Sequence, residues 1–486
     1  MKQAYLVLDI GTGNVRSAVV TPSGEILSVE RADIIYHRDT VFPDSIFFKP
    51  DELLDTLKAL TRKALSQAGE VKLLAVTSTS QREGIVLIGK TGRALIGMPN
   101  IDHRGREWED AFGDKGRVYA LSGRYPTSLF SVFKLIGIRE KRPELWQEAE
   151  TFLSISDWAL WALSGVAVYE HSQASETLLY DVAAGSWSPE LCSRYGIAEG
   201  LLSPLRSSGE VVGEVKADVA ADWGLGQHVK AVVGGGDTQM AIKSTRPHTG
   251  DVILVSGTTT PVVKLEGGFL TDDEQRTWTS RDIEPGRFVF EANAGVTGLN
   301  YQRLKEVFYP NESYDVIEKE LSENLYDNCV GSLGSLIASE KSPVTTGGFV
   351  FHVPVTHELK RSSFVWASLV DIAFSIVENY KVLAECAGHR ETYLWACGGG
   401  LQSATLRQLI ADMTGKEVRV RSGFEQATVI GSALHCNDAL ELPSAAIPTD
   451  YLSAKPQTNK KEYYDGLYTN WAGVRSLFRK QGEVSL

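Results

Sequence analysis

One arrangement occurs twice in this chain, once at the start and once just past the midpoint, and it limits the fold more than any other feature. An apolar run from Tyr5 to Ile10 breaks at Gly11-Thr12-Gly13-Asn14 and resumes from Val15 to Val20. A second run from Asp251 to Ser256 breaks at Gly257-Thr258-Thr259-Thr260 and resumes from Pro261 to Leu265. Each reads as strand, Gly-Thr loop, strand, and repetition of a supersecondary unit is a fold-level signal. The first copy continues through a turn at Thr21–Gly24 into a third strand, Glu25–Val29. A dinucleotide fingerprint needs GxGxxG opening a helix. Here the third glycine is missing and a strand follows, so the loop lies inside a β-hairpin. A length of 486 residues asks for two large domains rather than one core.

Between the two copies the pattern is α/β. Leu53, Leu57, Leu60 and Ala64 share one face of a helix predicted over Asp51–Ala68, and Gly69 can end it. A strand over Lys72–Thr77 leads to Gln81-Arg82-Glu83, and residues beyond the carboxyl end of an α/β strand are where ligands sit. The triplet offers donors and acceptors suited to the hydroxyls of a polyol; the plainer alternative is a surface ion pair of Arg82 with Glu83, of little consequence. A second hairpin turns at Gly89–Gly92, and Asn100-Ile-Asp102-His-Arg104 adds another polar cluster. The tryptophans of Asp157–Gly165 read as core, and Glu170–Thr177 as a polar loop.

Ala231–Val233 reads as a buried strand, followed by Gly234-Gly235-Gly236, Asp237 and a helix over Thr238–Lys243. Three glycines let the backbone turn with either sign of φ and approach a ligand. Asp237 by itself fits two roles, helix cap or base facing a cleft. Two facing hairpin loops can hold one polyphosphate between hinged domains, and a carboxylate placed between them favours the base. This layout suits the actin-like ATPase fold, whose hairpin N–H groups and hydroxyls hold phosphates.

Further on, Glu291–Gln302 opens a helix, and a long apolar helix spans Phe364–Ala387. A strand at Leu394–Cys397 leads into Gly398-Gly399-Gly400, Ser403 and a helix closed by Gly415. Those glycines allow an adenine or ribose against the backbone, or simply tight helix–strand packing. Residues 427–436 form a helix of small side chains fit for close packing.

A net charge of −12 disfavours nucleic acid and anionic membrane as partners, so an anionic substrate needs local help from loop N–H groups, helix N-termini or a metal ion. The five cysteines are odd in number and lack a CxxC pair, which argues against zinc and disulfides; Cys386 and Cys397 read as small core residues. The chain enters a strand without a cationic leader, and no apolar run nears the ~20 residues that span a bilayer. A cytoplasmic protein is expected.

Asp9 to Arg16, Gln81-Arg82-Glu83, Asp102 with Arg104, Ser172 to Ser175, Gly234 to Asp237, Gly257-Thr258, and Gly398 to Gly400 with Gly431 together resemble the FGGY carbohydrate kinases over nearly the whole chain. Within that family, Arg82-Glu83-Gly-Ile-Val-Leu87 and Gly236-Asp237-Thr-Gln239 look most like the autoinducer-2 kinase branch; glycerol kinases share Gln-Arg-Glu. The resemblance implies two actin-like (ribonuclease H-like) domains, residues 1–244 and 245–486, with a nucleotide and substrate cleft between them. It implies ATP-dependent phosphorylation of a sugar, ketose or polyol hydroxyl. Asp237 would be the base, and Gln81, Arg82, Glu83, Asp102, Asp237 and Thr238 would hold the acceptor. Gly11, Thr12, Gly13, Asn14, Arg16, Gly257 and Thr258 would hold phosphates, and Gly298, Gln302, Gly399, Gly400 and Ser403 the nucleoside. Asp9 and Asp237 would help place Mg²⁺, and a homodimer is compatible. Two departures stand out: Gly347–Ser363 lacks the usual Gly-Glu-Arg run, and Gln426 stands where Glu is usual.

Two rival readings share part of this pattern. A non-kinase actin-like ATPase accounts for the phosphate loops but not for Gln81-Arg-Glu83 or Asp237. A catalytically inactive sugar sensor sits poorly with the presence of Asp9 and Asp237 and the absence of an attached helix-turn-helix segment.

Overall fold

The computed structural model describes residues 1–323, 328–340, 343–443 and 449–481. Its frame is two sheets with the same internal order. The first runs Val211–Glu214, Lys230–Gly236, Val71–Ser80, Lys2–Ile10, Asn14–Val20, Ile26–Asp33. The second runs Tyr451–Ala454, Glu417–Arg421, Tyr393–Cys397, Val252–Val255, Thr259–Glu266, Phe288–Val296, Trp278–Arg281. In both, an antiparallel edge strand is followed by three parallel strands and then an antiparallel meander. The expected duplication therefore extends from one hairpin to the whole sheet. Only the second sheet adds a strand beyond the meander, Trp278–Arg281.

The strands are continuous apolar runs because both sheet faces are covered. Leu53, Leu57, Leu60 and Ala64 of the helix Pro50–Ala68 pack on one face of the first sheet, and Trp158 of the helix Ile155–Ser164 joins the same cluster. The helix Arg361–Ala387 does the same for the second sheet. It starts three residues before the predicted Phe364, its first turn anchored by Ser363 accepting the Lys360 N–H.

The two halves meet through equivalent helices. Asp237–Ser244 follows Lys230–Gly236, and Ala427–Ala439 follows Glu417–Arg421 two strands from the second meander. Val429, Ala433 and Cys436 pack on Tyr5, Val7, Ala18, Val20, Ala75 and Val232 of the first sheet. Ala241 and Ile242 join the core of the second. Each helix thus rests on the other half's sheet, and they cross so closely that a Cβ on Gly431 would sit 1.8 Å from the Met240 carbonyl oxygen. That is the close packing expected of the small-residue helix. His435 on the same helix faces the Val233 carbonyl through Nε2 at 2.9 Å, so that nitrogen carries the proton and donates. Burial holds the ring neutral, its pKa pushed down to about 4.

A three-stranded antiparallel sheet, Ala94–Met98, Ile85–Gly89 and Ala149–Ser154, caps the first half beside an aromatic cluster including Phe130, Phe133 and Tyr195. Two expectations need correction. Glu170–Thr177, expected as a polar loop, is buried except for the half-buried His171, and His171–Ala174 forms a helical turn. Cys386 is half-buried beside Asp272 and Arg276, while Cys397 does lie in the core. All five cysteines are free thiols. No helix among the described residues is long and apolar enough to cross a membrane.

Candidate active site

The site is built on Lys230–Gly236, whose last residues pair with Val71–Ser80 at Gly235–Thr79 and Gly236–Ser80. The three glycines belong to the strand and have ordinary negative φ, unlike the turn that the sequence predicts; Gly236 is at −64°. Their need for glycine is steric. A Cβ would meet the Ser78 carbonyl oxygen at 1.8 Å from Gly234, Ile283 at 2.6 Å from Gly235, and the Gln239 side chain at 2.4 Å from Gly236. The approach they permit is to the protein itself. Gly236 also donates its N–H to Ser172 Oγ (3.0 Å), and Gln173 Nε2 donates to Ser80 Oγ (3.1 Å), so the buried turn at 171–175 clamps this strand end.

Gly236 occupies the helix cap position and has no side chain to cap with. Asp237 is the first helical residue. Its Oδ1 accepts the Thr238 N–H (2.7 Å) and hydroxyl (3.3 Å), so part of the capping role is real. No protein donor among the described residues reaches Oδ2. Part of the residue stays open, yet desolvation pushes its pKa up to about 6. Arg82 opposes that rise and Asp9 adds to it. Asp9 is itself raised by burial, against Arg16, its ladder partner 3.7 Å away.

The Gln81-Arg82-Glu83 triplet is buried, which removes the surface ion pair from consideration. Gln81 is a brace: Nε2 donates to the Gly11 carbonyl (3.0 Å), and Oε1 accepts the Asn100 N–H (2.9 Å). Arg82 makes a fork with Glu291, Nη1 to Oε2 at 2.6 Å and Nη2 to Oε1 at 3.0 Å. Burial works to raise the Glu291 pKa, and the Arg82 charge outweighs it, leaving the carboxyl below its usual range. Glu83 sits at φ +63°, sparsely populated for a side chain of its size, with its carboxyl 4.0 Å from Arg82 Nε. Burial first, then Glu176, push its pKa to about 8. Glu176 in turn is ion-paired to the buried Arg124, which stacks on Trp278 at 5.0 Å. Asp102 is fully enclosed: Oδ1 accepts from Ile46 N–H (2.9 Å) and Oδ2 from Arg104 Nε (2.7 Å). Both of its oxygens are thus engaged by the protein.

The sequence reading missed Glu291, Glu176 and Arg124. The one available signal for Glu291 was a lone carboxylate inside an otherwise apolar strand, Phe288-Val-Phe-Glu-Ala.

On the other side, Gly257, Gly298 and Gly400 converge. A Cβ on Gly298 would lie 2.0 Å from the Gly257 carbonyl oxygen, and one on Gly400 2.2 Å from Ser256 Oγ. The Thr258 carbonyl accepts the N–H groups of Thr297 (3.2 Å) and Leu299 (3.3 Å). Ser403 caps the helix Ala404–Thr414 through Leu406 N–H (3.1 Å) and bonds Glu318, so its hydroxyl is engaged. Gln302 lies one turn into the helix Gly298–Phe308, exposed, and bonds Glu306 (3.0 Å). In the first loop, Thr12 Oγ1 bonds Asn100 Oδ1 (3.2 Å), and Tyr36 donates to the Thr12 carbonyl (2.6 Å).

Gly13, Gly257 and Gly399 share a property. None has positive φ, and a Cβ on any of them would meet nothing within 4 Å. Neither backbone conformation nor protein packing requires glycine there, so these loop tips leave open space against the backbone. Bare backbone at loop tips is the chemistry of a phosphate or nucleoside cradle. Among the described residues no group of three potential metal ligands occurs. Two carboxylates, Asp9 and Asp237, each raised by burial, do suit Mg²⁺, which takes one or two protein carboxylates plus phosphate oxygens.

Duplicated sheets, each with a glycine-tipped hairpin loop, and a desolvated carboxylate at the end of Lys230–Gly236 mark a two-domain actin-like fold. Residues 4–243 match the model of the "FGGY family of carbohydrate kinases, N-terminal domain", and residues 338–440 match the C-terminal domain model. The chain belongs to this family of carbohydrate kinases, which are phosphotransferases with an alcohol acceptor and use ATP, typically with Mg²⁺. It is 45% identical over 484 residues to "Putative sugar kinase YoaC" of Bacillus subtilis (strain 168), covering 98% of both chains. It is 25% identical over 509 residues to the autoinducer-2 kinase of Yersinia enterocolitica, covering 96% of this chain and 93% of that one. Its fold is that of a ligand-bound xylulose kinase from Lactobacillus acidophilus, with a TM-score of 0.83 over 98% of each chain at 15% identity.

Proposed function

We propose that this kinase transfers the γ-phosphoryl group of ATP to a hydroxyl of a small ketose or polyol, with autoinducer-2 among the candidate acceptors, and that Asp237 is the base. The observation that carries the reading is the state of Asp237. One oxygen is fixed by Thr238, the other has no protein donor among the described residues, and a pKa of about 6 leaves it ionised at neutral pH yet able to take a proton. A cap alone requires no open oxygen.

In this reading Arg82 and Glu83 hold acceptor hydroxyls, with Thr238 beside them. Gln81 and Asp102 act by fixing Gly11, Asn100 and Arg104 around the pocket. Gly11, Thr12, Gly13, Asn14 and Arg16 face Gly257 and Thr258 across the cleft and hold phosphates. Gly298, Gly399 and Gly400 lie along the nucleoside, with Gln302 and Ser403 at its border. Asp9 and Asp237 would hold Mg²⁺. Bound ATP·Mg²⁺ supplies the phosphoryl group and offsets charge on it; the protein positions groups around a loose in-line transfer. Asp237 Oδ2 accepts the proton released by the acceptor hydroxyl, and closure of the halves keeps water from competing. We place the domain boundary at 244/245, in the segment between the two sheets, and the enzyme in the cytoplasm.

Coupled ADP release, screened over pentuloses, polyols, gluconate and autoinducer-2, tests the reading. Turnover that depends on one acceptor class supports it. ATP hydrolysis indifferent to every acceptor would make the protein an actin-like ATPase of another kind.

A further inference from the structure

The strand Phe288–Val296 touches both sides of the site. Glu291 accepts both Arg82 nitrogens, and its Oε1 also accepts Asn293 Nδ2 at 3.0 Å. Asn293 Oδ1 accepts the N–H of Gly295 at 2.8 Å. Gly295, at φ +69°, turns the chain into Thr297 and Gly298, and Thr297 donates its N–H to the Thr258 carbonyl at 3.2 Å. Arg82 is therefore joined to the second glycine loop through Glu291, Asn293 and one short turn, with hydrogen bonds at every step across side chains.

Arg82 stands in the bend just past Val71–Ser80 of the first sheet and Glu291 in a strand of the second, 209 residues apart, and both are buried. The fork is shielded from water, and Glu176 at 3.7 Å and Glu83 at 4.0 Å are the other carboxylates near Arg82. The strand carrying Glu291 pairs with Thr259–Glu266 along its length and with Trp278–Arg281 over Phe288–Glu291, and runs directly into the turn at Gly295. A ligand that draws on Arg82 alters what Glu291 holds, and a ligand that orders Gly295–Gly298 alters where Glu291 stands.

We infer that Glu291 and Asn293 are positioning residues that couple the acceptor pocket to the nucleotide loops, so that each ligand tightens the other. The inference rests on the functional reading above. Coupling of this kind is reciprocal and typically amounts to about 5- to 150-fold in affinity.

The test is calorimetric binding of Mg·AMP-PNP to the full-length protein, with and without the acceptor that releases most ADP in the panel. In the wild type the acceptor should lower the AMP-PNP Kd at least about fivefold. Asn293→Ala leaves the Arg82–Glu291 fork in place and should reduce that ratio to below about twofold, with the Kd in the absence of acceptor little changed. Glu291→Gln, which keeps the shape and one acceptor oxygen, should do the same. A purely structural role would lower thermal stability and leave the ratio intact, and that result overturns the inference. So does a shift in the Kd for AMP-PNP alone, or a wild type without coupling. If no acceptor in the panel releases ADP, the functional reading fails and takes the inference with it; ADP release with unaltered coupling in both variants sinks the inference alone.

Discussion

Val71–Ser80 and Tyr393–Cys397 hold the same place in their sheets, each parallel to the first strand of its meander, and their ends differ completely. Beyond the first stand Gln81, Arg82 and Glu83; beyond the second stand Gly398, Gly399 and Gly400. The meander strands differ likewise. With Gly11-Thr12 set against Gly257-Thr258, Asp9 corresponds to Val255. One strand end gathers buried charge around a carboxylate; the other presents bare backbone over the buried hydroxyls of Ser256, Thr260 and Thr297, bonded in a row at 2.7 and 2.6 Å. Topology places strand ends at a ligand. The two strand ends offer different chemistry: buried charge and a carboxylate at one, backbone bare of side chains at the other.

The sharpest way to break this contrast is at Asp237. Asp237→Asn keeps the shape and the Thr238 bonds but cannot take a proton, so kcat should fall by about 10²–10⁴ with both ligands still bound in calorimetry. Near wild-type turnover would leave the residue with only its bonds to Thr238 in the first helical turn, which Asn can make as well.

Next is the charged triplet itself. Arg82→Ala should raise the acceptor KM roughly ten- to a hundredfold with the nucleotide Kd in the absence of acceptor nearly unchanged. It should also destabilise the protein by about 3–5 kcal/mol, because Glu291 is left buried without its cation. Weakened ATP binding with an intact acceptor KM would reverse the assignment of the two sides.

The glycine side supplies the mirror experiment. Gly399→Ala has space for its Cβ and no positive φ, so melting should barely shift while the KM for ATP rises, on the order of tenfold for lost close contacts. Gly234→Ala makes the opposite pairing: its Cβ would strike the Ser78 carbonyl oxygen, with a stability loss of about 1–3 kcal/mol or more. Equal effects of the two substitutions on melting would erase the distinction between ligand-facing and packing glycines.

The smallest expected effect is in pH dependence. Asp237 is raised in the folded state to about 6, above an unfolded value of about 3.9. The folded protein thus binds the proton more readily, so this residue's contribution to stability is present at low pH and is lost as pH rises through 6. Activity runs the other way, since the base works ionised: kcat/KM should climb with unit slope up to about pH 6 and then level. Asp237→Asn should melt no lower than wild type at pH 8, and a large loss there would mean the carboxylate is chiefly structural.

Much of this was legible in the residues alone. The paired Gly-Thr loops announced a duplicated fold because a hairpin loop needs only local sequence, apolar runs broken by small residues. Asp237 and the triplet were found by their position just past strands, which is also local. Three things were not legible. The role of Gly234–Gly236 depends on Ser78, Ile283 and Gln239, which only strand pairing brings within reach. Glu291 is invisible as a partner of Arg82 because nothing in either segment encodes a contact 209 residues away. The buried turn at 171–175 looked polar because its hydroxyls and amide bond Gly236, Ser80 and Ser156, all from other segments.

The sequence by itself determined the elements, their duplication and the side chains waiting at the strand ends, since periodicity and turn chemistry act over a few residues. Tertiary structure alone decided how those side chains behave. Desolvation, the field of Asp9 and the opposing field of Arg82 depend on which segments surround Asp237, and their balance, not the local sequence, raises its pKa to about 6.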